Sequence, residues 1–197
     1  MTRLIFATNN KNKVAEIQAA IGHIFHVVSL EEAGIDIDIP EPHDTLEENA
    51  SEKSGTIYKL TGEDCFSEDT GLEVAALNGE PGVKSARYDG DHRDPGKNID
   101  KLLSKLEGFD NRKARFRTVL SLIRAGKEFL FEGICEGEII RERRGTAGFG
   151  YDPVFIPDGS TYTLAEMTME EKNRFSHRRK AADKLVGFLQ MKDYKNI

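Results

Sequence analysis

The chain has 197 residues, 38% of them hydrophobic and 31% charged, with no low-complexity tract. That length supports one sizeable core and is short for two independent domains, so a single globular domain over residues 1–197 is expected. A formal net charge of −6 argues against a protein that wraps a nucleic-acid polymer, and points to a small anionic ligand met by local cations.

Leu4-Ile5-Phe6-Ala7 is a short apolar run that predicts a strand. The apolar runs of this chain are all of that size, so no membrane span or membrane partner is expected. No charged-then-apolar leader precedes it, which predicts a cytoplasmic protein. The polar stretch Thr8-Asn9-Asn10-Lys11-Asn12 follows, and Val14, Ile17 and Ile21 recur at helical spacing, giving an amphipathic helix from about Lys11 to Ile21. His26-Val27-Val28-Ser29 reads as a second strand. The proline-bearing segment Asp36 to Asp44 leads to Thr45-Leu46-Glu47-Glu48, a capping-box pattern opening a helix to about Leu60 that tolerates Gly55. Cys65 to Glu68 is the next strand, ending at Asp69-Thr70-Gly71. Cys65 and Cys135 lie far apart in sequence and read as reduced, buried residues, neither metal ligands nor a disulfide.

Asn78-Gly79-Glu80-Pro81-Gly82 is dense in turn formers, and Ile99, Leu102, Leu103 and Leu106 mark a helix. Phe116, Thr118, Leu120 and Leu122 alternate as a strand, and Ala125-Gly126-Lys127 turns tightly into Phe129-Leu130-Phe131. Further strand signals fall at Ile134 and at Ile139-Ile140, before a glycine-rich loop from Gly145 to Gly150. Thr168-Met169-Glu170-Glu171 is a second capping box, and Ser176 starts a helix with Ala181, Ala182, Leu185, Phe188 and Leu189 on its buried side. Residues after Asp193 read as an ordinary polar terminus. The sum is an α/β fold with a mixed sheet, in two lobes around one cleft.

Four constellations carry possible chemistry. The loop Thr8-Asn9-Asn10-Lys11-Asn12-Lys13 joins a strand to a helix, aiming N–H groups and the positive helix end at one point, a phosphate-favouring arrangement for which Lys13 supplies a counter-charge. It lacks the glycine-rich phosphate-loop pattern, and a polar turn with a solvated lysine is the plainer alternative. Glu68 and Asp69 end an apolar strand, with Glu41 and Glu48 in and after the preceding segment; such carboxylates suit magnesium, or else are solvent-facing acids. Gly148-Phe149-Gly150-Tyr151-Asp152-Pro153 offers close approach to a flat ligand and a stacking ring, or a turn with Phe149 in the core. Glu171-Lys172 and Ser176-His177-Arg178 flank a break between helices, where donors could meet the carbonyl of a 6-oxopurine, although a histidine there also fits a capping or core role.

Taken together, Thr8-Asn9-Asn10 with Lys13, Glu48-Asn49-Ala50 with Lys53, Glu68-Asp69-Thr70-Gly71-Leu72, and Pro81-Gly82 with Ser85-Ala86-Arg87-Tyr88 form an ordered series. It continues through Gly148 to Pro153, Ala165-Glu166-Met167 with Glu171-Lys172-Asn173, and Ser176-His177-Arg178. The series resembles the inosine triphosphate pyrophosphatase family, the non-canonical purine NTP pyrophosphatases, over essentially the entire chain. The resemblance implies an elongated α/β protein with a long sheet, a cleft between two lobes and a homodimeric assembly. It also implies hydrolysis of ITP, dITP and XTP to the monophosphate and pyrophosphate, with one or more magnesium ions per subunit and manganese as an alternative.

Carried over by position, residues Thr8 to Lys13 and Lys53 would bind the triphosphate. Asp69 would be general base and metal ligand, with Glu41 as the other metal-site acid and Thr70 contacting substrate. Phe149, Gly150, Tyr151 and Asp152 would hold base and sugar, and Lys172, His177 and Arg178 would complete base recognition. The sequence departs from the pattern at Asn9, where many members have glycine, at Glu68, which replaces an aspartate common in bacterial members, and at Pro42-His43-Asp44, which lacks a glycine. These departures leave Glu41 and Glu68 as competing candidates for the second metal ligand. Two other functions fit parts of the pattern: a septum-inhibitor-type pyrophosphatase acting on other nucleotides, and a non-catalytic nucleotide-binding module.

Overall fold

The structure, a computed structural model, describes residues 2–191; the polar terminus after Asp193 lies outside the described residues. Seven strands run Thr2–Phe6 (β1), Phe25–Ser29 (β2), Cys65–Val74 (β3), Pro81–Gly82 (β4), Lys113–Arg124 (β5), Lys127–Ile139 (β6) and Phe155–Pro157 (β7). The helices are Lys11–Ile21 (α1), Leu46–Thr61 (α2), Pro95–Lys105 (α3), Met169–Phe175 (α4) and His177–Gln190 (α5).

Helix starts follow the side chains that can accept orphan amide protons. The Asn10 side chain caps α1 by accepting from the amides of Asn12 and Lys13, and Asp94 caps α3 ahead of Pro95. Thr45 and Thr168 cap α2 and α4, as the capping-box patterns predict, and α2 closes on Gly62 at φ 68°.

The sheet has seven strands in the order β2-β1-β3-β5-β6-β7, with β4 paired to β3. The pairs β1–β2 and β1–β3 are parallel, whereas β3–β4 and β6–β7 are antiparallel, so the expected mixed α/β sheet flanked by helices is the one observed. Between β5 and β6 the chain reverses through Ala125 and Gly126, both at positive φ.

Two strand expectations need correction. β3 does not end at Asp69 but runs on to Val74, which puts Asp69 inside a strand. Gly71 allows this: a Cβ there would sit 2.7 Å from the Gly82 carbonyl oxygen, so only glycine lets β4 approach and prolong the pairing. The separate signals at Ile134 and Ile139 belong to one long strand, β6, whose alternating burial interrupts the apolar pattern without ending the strand.

The chain divides into two compact units. The first takes the chain up to Asp69, Thr118–Gly133 and the chain from Arg178 onward. Its strands carry a core on each face. Leu4, Phe6 and Phe66 pack with Ile17, Ile21, Ala181 and Leu185 of α1 and α5. Ile5, Ala7 and Cys65 pack instead with Ile57 of α2. The second unit, Thr70–Arg117 and Ile134–His177, is built around Leu72, Ile99, Leu102, Phe116, Val154 and Phe155.

Candidate active site

Successive strand residues point to opposite faces, and β3 uses this alternation to separate two adjacent carboxylates. On the face towards α2, three side chains meet that helix in turn. Cys65 Sγ donates to the Ser54 carbonyl at 3.4 Å, Ser67 Oγ donates to the Ala50 carbonyl at 2.5 Å, and Asp69 Oδ1 accepts from Lys53 Nζ at 2.8 Å. Helical periodicity puts Ala50, Lys53, Ser54 and Ile57 on one buried stripe of α2. The same ammonium donates to Glu41 Oε1 at 2.7 Å. Burial pushes the Asp69 carboxyl above the usual aspartate value, with Lys53 and Lys13 opposing. Lys53 is held above the ordinary lysine value because Asp69 and Glu41 outweigh the burial that disfavours its charge.

The opposite face carries Glu68. The Arg178 guanidinium donates Nε and Nη2 to its two oxygens at 2.5 and 2.7 Å, and Nη1 to Glu16. Lys13 Nζ approaches Glu68 at 3.1 Å. Arg178 is only 2% exposed; burial disfavours its charge, but Glu68 and then Glu16 hold it more firmly protonated than a free arginine. A fork donor on a carboxylate is the geometry in which such a buried charge is tolerated. Glu68 is therefore committed to Arg178 and Lys13, and Glu41 is the acid that shares a cation with Asp69.

In the Thr8–Lys13 loop, Thr8 Oγ1 accepts from the Asn10 amide at 3.1 Å, and Asn10 Oδ1 accepts from the amides of Asn12 and Lys13 at 3.0 and 3.2 Å. The loop's own side chains thus engage three of the amides that could face phosphate. Asn9 and Lys11 are exposed, and Lys11 Nζ lies 3.8 Å from Glu31.

Within the second unit, Asp152 organises the glycine-rich segment. Its Oδ2 accepts from the Phe149 amide at 2.8 Å and from Lys172 Nζ at 2.6 Å, while that ammonium also lies 5.1 Å from the Phe149 ring centroid. Gly148, at φ 73°, leaves room for the carboxylate. Tyr151 is buried and donates to the Ser85 carbonyl at 2.8 Å; burial raises its phenol above the usual value. The His177 ring stacks on Phe116 with centroids 4.8 Å apart, which is part of the core role weighed for it. Thr70 is half-buried on β3 and Gly150 sits at φ 61°.

Of the residues singled out by sequence, Glu41, Lys53 and Asp69 form one cluster, Lys13 and Arg178 meet on Glu68, and Phe149, Asp152 and Lys172 form another cluster. Sequence reading passed over Glu16, a buried acid three residues after Lys13 on α1. Its only signal is a charge on an otherwise apolar helical stripe. Among the described residues, no group of three or more His, Cys, Asp or Glu side chains is arranged to hold a metal. Two carboxylates already sharing one cation nevertheless fit magnesium, which takes one or two carboxylates and completes its shell with water and phosphate oxygens. A strand-held carboxylate raised by burial, next to a lysine, can act as a proton acceptor beside a bound anion.

Residues 4–188 match the Ham1 family model. A dITP/XTP pyrophosphatase of Flavobacterium johnsoniae is 48% identical over 187 residues, covering 95% of this chain and 97% of that protein. A dITP/XTP pyrophosphatase of Porphyromonas gingivalis is 49% identical over 190 residues, covering 96% and 98%. Among solved structures, the Ham1 protein of Staphylococcus aureus superimposes with a TM-score of 0.86 at 38% identity, covering 96% of this chain and 98% of that one.

Proposed function

The chain belongs to the Ham1 family, and we infer that it hydrolyses the non-canonical purine nucleoside triphosphates ITP, dITP and XTP to the monophosphate and pyrophosphate. It is a hydrolase of nucleotide metabolism. The observation that carries this reading is the convergence of Glu41 and Asp69 on the Lys53 ammonium, in a chain whose relatives are named for that reaction. Those names weigh against both the septum-inhibitor-type activity and the non-catalytic module.

Lys13, Lys53 and the N-terminal end of α1, with Thr8 to Asn12, take the triphosphate and screen its charge so that a nucleophile can approach. Asp69 accepts a proton from the water that attacks the α-phosphorus, and the lysines hold the charge of the departing pyrophosphate. A magnesium ion held by Glu41 and Asp69 would neutralise phosphate charge and lower the pKa of bound water, and manganese has the same ligand preference. Thr70 contacts the substrate. Phe149, Gly150, Tyr151 and Asp152 hold base and sugar, and Lys172, His177 and Arg178 read the base.

Selectivity follows from hydrogen-bond polarity. Hypoxanthine presents a carbonyl acceptor at carbon 6 where adenine presents an amino donor, so a donor-lined site opposes donor to donor when ATP binds. The Phe149 amide and the Arg178 guanidinium already donate to Asp152, Glu68 and Glu16, so any contact they make with a base carbonyl shares or replaces one of those bonds. The working protein is a cytoplasmic homodimer whose 1–197 chain acts as one domain, with a nucleotide as its partner rather than a nucleic-acid polymer or a membrane. Asp69→Asn tests the mechanism. Turnover is expected to vanish while the melting transition persists, and turnover near the wild-type rate would overturn the assignment of Asp69.

A further inference from the structure

Lys53 is not simply a phosphate-binding side chain waiting in solvent. Its ammonium is buried, 2.7 Å from Glu41 Oε1 and 2.8 Å from Asp69 Oδ1, with Lys53 anchored on α2 and Asp69 on β3, and Glu41 in the segment that precedes α2. The Ser67 and Cys65 contacts to the Ala50 and Ser54 carbonyls fix the register of strand against helix, so the reach of Lys53 to Asp69 is set by the backbone. A buried carboxylate, Asp69, beside the half-buried Glu41 needs a cation, since an unpaired buried charge is strongly disfavoured. Lys53 is the cation that pairs with both.

We propose that Lys53 is a resident counter-cation which a divalent metal must displace from Glu41 and Asp69, so that metal binds weakly until a triphosphate draws the ammonium onto its phosphates. This rests on the reading of Glu41 and Asp69 as metal ligands. A divalent ion held by those carboxylates would put its charge against an ammonium that already holds one oxygen of each. Both cations cannot keep the same oxygens, and in low dielectric their repulsion is large. A triphosphate removes the conflict because it offers Lys53 new acceptors as the ion arrives. The metal therefore enters together with the nucleotide, and the free enzyme keeps its carboxylates neutralised without sequestering metal.

The test is calorimetric titration of the protein with Mn2+ in the absence of nucleotide, using wild type, Asp69→Asn, Glu41→Gln, Lys53→Met, Lys53→Gln and Lys53→Met/Asp69→Asn, with melting temperatures recorded with and without metal. Removing a donor of two charge-assisted hydrogen bonds should tighten Mn2+ binding by at least about tenfold in Lys53→Met. The added Asp69→Asn should abolish the gain, and metal should raise the melting temperature of the Lys53 variants but not that of wild type. If Lys53→Met folds only with metal, Mn2+-dependent recovery of its transition carries the same meaning, and failure to recover in both Lys53 variants overturns the proposal. Equal affinity in wild type and Lys53→Met, weakened in each by Asp69→Asn, overturns the counter-cation role and leaves the metal-ligand assignment standing. Tight binding that ignores both Asp69→Asn and Glu41→Gln overturns that assignment as well.

Discussion

At Gly148 the backbone sits at φ 73°, and a Cβ added there would lie 2.1 Å from Asp152 Oδ2. That oxygen accepts both the Phe149 amide and the Lys172 ammonium, so Gly148→Ala strains the backbone and pushes away the acceptor of two charge-assisted bonds. The left-handed backbone costs about 1–2 kcal/mol for a non-glycine residue. Each bond to a charged group contributes about 1.5–3 kcal/mol. With partial relaxation, the substitution should destabilise the protein by at least about 3 kcal/mol, or about 6–12 °C in melting temperature for a chain of this size. In an Asp152→Ala background the obstructing carboxylate is gone and only the Cβ at 152 stays close, at 3.2 Å, so little more than the backbone strain of about 1–2 kcal/mol should remain. Urea unfolding of the four proteins in the cycle measures the difference. Gly150, also at positive φ but with nothing within 4 Å of an added Cβ, supplies the control, and Gly150→Ala should show the strain alone. Equal losses for Gly148→Ala in both backgrounds would refute the reasoning that Asp152 organises this segment.

Arg178→Ala leaves Glu16 and Glu68 buried without their guanidinium, which should cost about 3–5 kcal/mol of stability in denaturant unfolding. The same variant should erode the preference for ITP over ATP in kcat/KM, and an unchanged ratio would count against a role for Arg178 in base recognition. Burial raises the Cys65 thiol to about 12, so at about pH 8 only ~10⁻⁴ of it is thiolate. Cys135 is buried too, so a disulfide reagent should find no reactive thiol in the native protein and two equivalents after unfolding; fast native labelling would contradict this.

Much of the fold was legible because local signals and tertiary structure agree: Thr45 and Thr168 cap where their patterns say, and Val14, Ile17 and Ile21 lie on the predicted helix. The end of β3 was misread because Asp69, Thr70 and Gly71 look like a turn, and only the close approach of Gly82 shows why glycine belongs inside that strand. That Glu68 turns away from Asp69 was legible in principle. Strand alternation puts adjacent residues 68 and 69 on opposite faces, so an acid sharing a cation with Asp69 had to come from elsewhere. The partners of Arg178 could not be read at all. Glu16 and Glu68 lie 162 and 110 residues away, and nothing local marks a long-range buried ion pair.

Pyrophosphate release from ITP, XTP, dITP and the four standard nucleotides, with magnesium and then with chelator, decides whether this chain hydrolyses non-canonical purine triphosphates. Strong, metal-dependent release from the first three is expected, and little from ATP, whose adenine lacks the carbon-6 carbonyl. A rate on ATP equal to that on ITP would contradict the base-recognition argument, and no release from any nucleotide would contradict the hydrolase itself.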